Sequence, residues 1–149
     1  MSSQIFKSVV IDANLGLAQV LPLPYSKQVE AQLQRWEKEH AWIFVPALWE
    51  YEVVSGLRRA CALKMMTPES GHEALNLLLE MNFEITPTPP DQHQRALEWA
   101  ERLGQNRAYD AQYLALAEQL GAELWTADRR LANAAAGLGL DWVHWVEET

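Results

Sequence analysis

Short apolar runs alternate along this chain with stretches of helical periodicity, and that alternation leaves few folds open to it. Val9-Val10-Ile11, within Phe6 to Ile11, is β-branched and apolar, as expected of a strand buried on both faces in a parallel sheet. Tyr25 to His40 carries Val29, Leu33 and Trp36 at helical spacing with charges between them, which predicts an amphipathic surface helix. Trp42-Ile43-Phe44-Val45 is a second strand, and Pro46 suits the first turn of a helix running to about Lys64. Thr67 as N-cap and Pro68 at the first helical position, with Ser70 nearby, open a helix whose buried stripe is Leu75, Leu78 and Leu79. Glu84-Ile85-Thr86 is a weak third strand, and a helix from about Asp91 to Leu103 ends at Gly104. Ala108 to Leu120 is helical and stopped by Gly121, Glu123 to Thr126 is a fourth strand, Arg129 to Ala136 is helical, and Trp142 to Trp145 reads as an edge strand.

Parallel neighbours need crossover connections, so the alternation predicts a three-layer α/β/α sandwich around a mainly parallel sheet of four or five strands. At 149 residues and 49% hydrophobic content, residues 1–149 make one domain with one core. The N-terminus, Met1 to Lys7, lacks the apolar stretch of a signal peptide, and no run is long enough to span a bilayer, so a cytoplasmic protein is expected. The single cysteine, Cys61, excludes an internal disulfide and reads as a packed core thiol. A net charge of −8 argues against a protein that coats nucleic acid with Lys and Arg. It is compatible with a nuclease, because divalent cations reverse the local sign of an acidic site.

Ligands of parallel sheets bind beyond the carboxyl ends of the strands. Asp12 directly follows the first strand, Asp128 lies just past the fourth, Glu52 is in the helix after the second, and Asp110 begins a helix on the same side. Each alone has a plain explanation as a helix cap or a dipole partner, but their recurrence at one end of the sheet points to a site. Glu50 and Glu52 point about 200° apart on a helix, so only one faces the crevice. Glu52 shares its side with Ser55, Gly56 and Arg59. There the small pair permits close approach and the arginine can hold a phosphate.

Four blocks carry a family resemblance: Val10-Ile11-Asp12-Ala13-Asn14, Val45 to Val53 around Glu52, Tyr109-Asp110-Ala111-Gln112-Tyr113-Leu114-Ala115-Leu116-Ala117, and Trp125-Thr126-Ala127-Asp128-Arg129. In order and spacing, over nearly the whole chain, they resemble the motifs of PIN domains, especially VapC-like toxins. The resemblance implies a metal-dependent endoribonuclease that leaves a 5′-phosphate and a 3′-hydroxyl, acting as the toxin of a VapBC-type pair. It puts Asp12, Glu52, Asp110 and Asp128 at the family's acidic positions. Asn14, Ser55, Arg59, Thr126 and Arg129 fall where residues that orient the acids or hold substrate are expected. Ser55 stands where the family often has Asn. The resemblance also implies a homodimer and a VapB-like antitoxin lying over the active-site groove.

Clustered carboxylates without His or Cys are hard oxygen donors, suited to Mg²⁺ or Mn²⁺ and poorly suited to zinc. The four histidines have no ligand-like spacing and are expected at the surface. Of the seven tryptophans, Trp42 and Trp125 are assigned to the strands and the core, while Trp49, Trp142 and Trp145 are candidates for exposure or a dimer contact. Arg58, Arg59, Arg107, Arg129 and Arg130 are the cations nearest the acidic blocks. The chain lacks the late lysine of a receiver domain and the G-x-G-x-x-G of a dinucleotide fold. Two rivals remain: a catalytically silent PIN scaffold that binds a protein partner, and a DNA nuclease or other phosphodiesterase.

Overall fold

The structure, a computed structural model, describes residues 6–148. The leader-free reading of the N-terminus falls partly on residues 1–5, outside that range. In chain order the elements are β1 (Ser8–Ile11), α1 (Ala13–Leu17), α2 (Ser26–Lys38), β2 (Trp42–Pro46), α3 (Ala47–Ala62), α4 (Pro68–Leu79) and β3 (Glu84–Thr86). They continue with α5 (Pro90–Arg102), α6 (Tyr109–Leu120), β4 (Glu123–Thr126), α7 (Arg129–Gly137), β5 (Val143–Trp145) and a 3₁₀ turn, Val146–Glu148. Among the described residues no helix is long and apolar enough to cross a membrane.

The strands form one five-stranded sheet in the order β3-β2-β1-β4-β5, with every pairing parallel. The expected α/β/α sandwich is therefore present, with β1 at its centre. From β1 the chain first moves outward through β2 and β3, then returns to the other flank for β4 and β5. The reversal sits between β1 and β4, where open parallel sheets form their ligand crevice.

Val9, Val10 and Ile11 are fully buried, which is why β1 reads as an unbroken apolar run. Helix α6 lies across β1, β2 and β4 and is covered outside by α5. Buried on both sides, it is apolar nearly all round, with Tyr113, Leu114, Leu116 and the alanines between them hidden. Helix α3 packs on β2, α1 and α4. Its contact with α1 is close: a Cβ on Gly16 would lie 2.6 Å from Trp49 Cζ2, and one on Gly56 would lie 2.4 Å from Leu17 Cδ1.

Several expectations change here. Pro46 is the last residue of β2 and caps α3 from outside. Thr67 and Pro68 do open α4 as expected, with Thr67 Oγ1 accepting from Ser70 N, but its buried residues are Gly71, Ala74 and Leu78. Leu79 is exposed and Leu75 half-buried, because the helix turns 100° per residue and a stripe through Leu78 continues at Ala74 and Gly71. The tryptophans partly exchange roles. Trp42 opens β2 and is 51% exposed, whereas Trp49 is buried beneath α1 and edge-on to Phe83. Cys61 is half-buried with its Sγ directed at the Thr67 carbonyl, so it is a helix-junction thiol rather than a core one. His40, His72 and His93 are exposed, while His144 is half-buried with its Nε2 3.1 Å from a Glu123 carboxylate oxygen.

Candidate active site

The chain leaves β1 at Asp12 with an extended backbone, and Asp12 caps the five-residue helix α1 by accepting from Leu15 N through Oδ1. Its other oxygen accepts from Thr126 Oγ1 at 2.6 Å and from Ala127 N at 3.3 Å. Thr126, fully buried at the end of β4, accepts in turn from Asp128 N at 2.9 Å. One hydroxyl thus ties the carboxyl ends of the two strands that flank the switch point. Asp128 caps α7 by accepting from Arg130 N and Leu131 N through Oδ1. The capping role and a site role are not exclusive, since the cap uses only one of its carboxylate oxygens.

Asp110 lies in the first turn of α6 and accepts from Gln105 Nε2 at 3.3 Å. Glu52, in α3, accepts from the Tyr113 hydroxyl at 2.5 Å. Burial pushes the Asp12 carboxyl up to about 6, against the lowering pull of its bonds from Thr126, Leu15 and Ala127, and the charge of Asp110 adds to the rise. Burial raises Glu52 as well, opposed by the Tyr113 bond and reinforced by Asp110. Asp110 itself is raised by burial first and by Asp128 second. Asp110 therefore interacts with each of the other three acids, and the crevice is one electrostatic unit.

An open groove of about 590 Å³ leads to this unit, lined by Glu52, Gly104, Gln105, Asn106, Arg107, Tyr109 and Asp110. Asp12 and Asp128 are outside its wall. Among the described residues no three acidic, histidine or cysteine side chains already converge as a cation site. Each acid is taken up by its own hydrogen-bond partner instead. In donor chemistry the set fits a hard divalent cation: oxygen ligands only, mutually repelling and partly shielded from water.

The remaining expected residues separate. Thr126 joins the acids directly. Asn14, Ser55 and Arg59 are exposed and have no side-chain hydrogen bond or ion pair among the described residues. Gly56 is used for close approach by Leu17, so the glycine of the small pair on α3 serves helix packing. Arg129 is exposed with its guanidinium 5.4 Å from the centre of the Trp145 ring. Arg107, by contrast, lines the groove. The sequence reading gave no role to Tyr113 or Gln105. Tyr113 carried a signal, since it is one turn from Asp110 on a helix whose other hidden residues are all Ala and Leu; Gln105, in a polar loop, carried none.

A PIN domain with its strand order reversing at an acidic crevice is the class that this fold and site define. The PIN-domain family model matches residues 9–137. The VapC ribonuclease Mb0985 of Mycobacterium bovis is 34% identical over 125 residues, covering 84% of this chain and 89% of that protein. Among solved structures, PAE2754 from Pyrobaculum aerophilum matches with a TM-score of 0.66 and 24% identity over 95% of this chain and 85% of that one. VapBC2 from Rickettsia felis, bound to a DNA fragment from its promoter, matches with a TM-score of 0.65 and 14% identity over 93% of this chain and 98% of that one. The chain belongs to the PIN-domain family.

Proposed function

We propose that this protein is a metal-dependent endoribonuclease of the cytoplasm, the toxin of a VapBC-type toxin–antitoxin pair. The observation that carries the reading is the coupling of Asp110 to Asp12, Glu52 and Asp128 in the crevice between β1 and β4. The relative named a VapC ribonuclease, similar over most of both chains, supports RNA as the substrate.

Asp12, Glu52, Asp110 and Asp128 would hold Mg²⁺ or Mn²⁺, which when bound supplies an activated water and charge stabilisation for in-line hydrolysis of a phosphodiester. The chain's own residues prepare that chemistry. Thr126 and the backbone of Leu15 and Ala127 hold the Asp12 carboxylate in place and favour its ionised form. Gln105 steadies Asp110, and Tyr113 steadies Glu52. Arg107, without an acidic partner among the described residues, is free to meet a backbone phosphate entering the groove. No side-chain nucleophile is needed.

The reading includes a homodimer and a small VapB-like antitoxin that places a basic side chain in the acidic groove, pairing with the carboxylates there. Incubating the purified protein with total cellular RNA, in Mn²⁺ or in chelator, tests the activity. Cleavage that needs Mn²⁺ and disappears in Asp110→Asn is expected. A homogeneous protein that binds Mn²⁺ yet leaves RNA intact would favour a DNA nuclease, and one that binds none would favour the silent scaffold.

A further inference from the structure

Tyr113 stands one turn after Asp110 on α6, on the same face of the helix. Its ring is 2% exposed within the core, and its hydroxyl donates to Glu52 Oε1 across the gap between α6 and α3. A phenol has one proton to give, and here it goes to an acid 61 residues earlier in the chain. The hydroxyl also lies within the field of Asp12 and Asp110, so it sits beneath the acidic crevice rather than at its rim. Phenylalanine would fill the same space without the cost of burying a hydroxyl. The bond occupies only Oε1; Oε2 has no partner among the described residues, and Glu52 lines the groove beside Asp110.

We propose that Tyr113 is a positioning residue for Glu52, its buried hydroxyl pinning one carboxylate oxygen so that the other is preset toward the groove for a divalent cation. The proposal rests on the reading of the acids as cation ligands given above. A glutamate on a helix samples several rotamers, and a cation that must select one binds more weakly. Groups that orient metal ligands are typically worth about 10- to 100-fold in metal affinity.

The test is Mn²⁺ binding, followed by the paramagnetic resonance signal of free Mn²⁺, in wild type, Tyr113→Phe, Glu52→Gln and the double variant, with thermal melts in chelator as the folding control. Tyr113→Phe is expected to weaken binding about tenfold, and the double variant to bind no more weakly than Glu52→Gln alone, because the tyrosine acts through the glutamate. A second route leaves the tyrosine in place: Glu52→Asp keeps the charge but shortens the reach, and a loss similar to that of Tyr113→Phe is expected. Wild-type affinity in Tyr113→Phe or in Glu52→Asp, or losses that add in the double variant, would overturn the proposal. No Mn²⁺ binding by the wild type would instead overturn the proposed function on which it rests.

Discussion

Asp12 meets opposing demands. Its place at the end of β1 buries it, which favours the neutral acid, while three donors converge on it and favour the charge. Burial prevails, with a folded-state value of about 6 against an ordinary 3.8. Between those values a folded Asp12 binds more protons than an unfolded one, so its own contribution to stability is fully present below 3.8 and is lost as pH rises through about 6. In chelator, wild type is therefore expected to lose roughly 2–3 kcal/mol relative to Asp12→Asn between pH 3.8 and pH 7, as read from denaturant melts at each pH. The variant starts lower, because an asparagine amide has one acceptor oxygen and cannot accept from Leu15 on one side and from Thr126 and Ala127 on the other; a parallel pH profile for the two proteins would show that Asp12 is not the titrating group. Asp12→Asn and Asp110→Asn should both abolish Mn²⁺-dependent cleavage while remaining folded. On α3, Glu52→Gln should lower the turnover of RNA by about 100-fold or more and Glu50→Gln by less than about threefold. The reverse order in a cleavage assay would sink the assignment of Glu52 to the site.

At the scale of elements, α1 is only five residues long and owes its position to its neighbours. Asp12 caps it, and Gly16 lets it press on Trp49, which is 1% exposed and has no room to yield. Gly16→Ala is expected to cost about 1–3 kcal/mol, lowering the melting temperature by roughly 2–10 °C, with RNA cleavage falling because the capped aspartate moves with the helix. An unchanged melting temperature would mean that α1 shifts freely. These elements also explain what was legible in the sequence. Period and punctuation located β1 to β5 and α2 to α7, though not the short α1, since Thr67-Pro68, Gly104 and Gly121 do their work locally. The acids were legible because parallel topology gathers strand ends. Tertiary partners were not: Trp49 and Trp42 differ by whether α1 covers them, and Leu78 differs from Leu79 by helix phase alone. The same limit hid the Tyr113–Glu52 bond, which joins two helices that no local pattern relates.

At the scale of the whole molecule, apolar surface is left over. Tyr51 and Val54 on α3 and Leu77 and Leu79 on α4 are between 48% and 73% exposed, and a largely apolar groove containing Val54, Leu57 and Leu75 runs between the two helices. Helix α2 adds little to this surface, because Trp36 turns inward onto Trp125. Exposed patches of this kind mark interfaces. The protein is expected to scatter light as a dimer at micromolar concentration, and Leu77→Glu with Leu79→Glu to shift it toward monomer without lowering its melting temperature; a wild-type monomer mass would refute the dimer.

The hydroxyl bridge from Thr126 to Asp12 spans 114 residues. A ribosome that has delivered Asp12, Glu52 and Asp110 has still to deliver the strand that locks the first of them in place. Contacts so distant in sequence are slow to form, so the nascent chain carries Asp12, Glu52 and Asp110 before the Thr126 bond can be made, and a product truncated before β4 cannot make it. The crevice is complete only when the last third of the chain closes on the first, so the order of synthesis sets when the site can form.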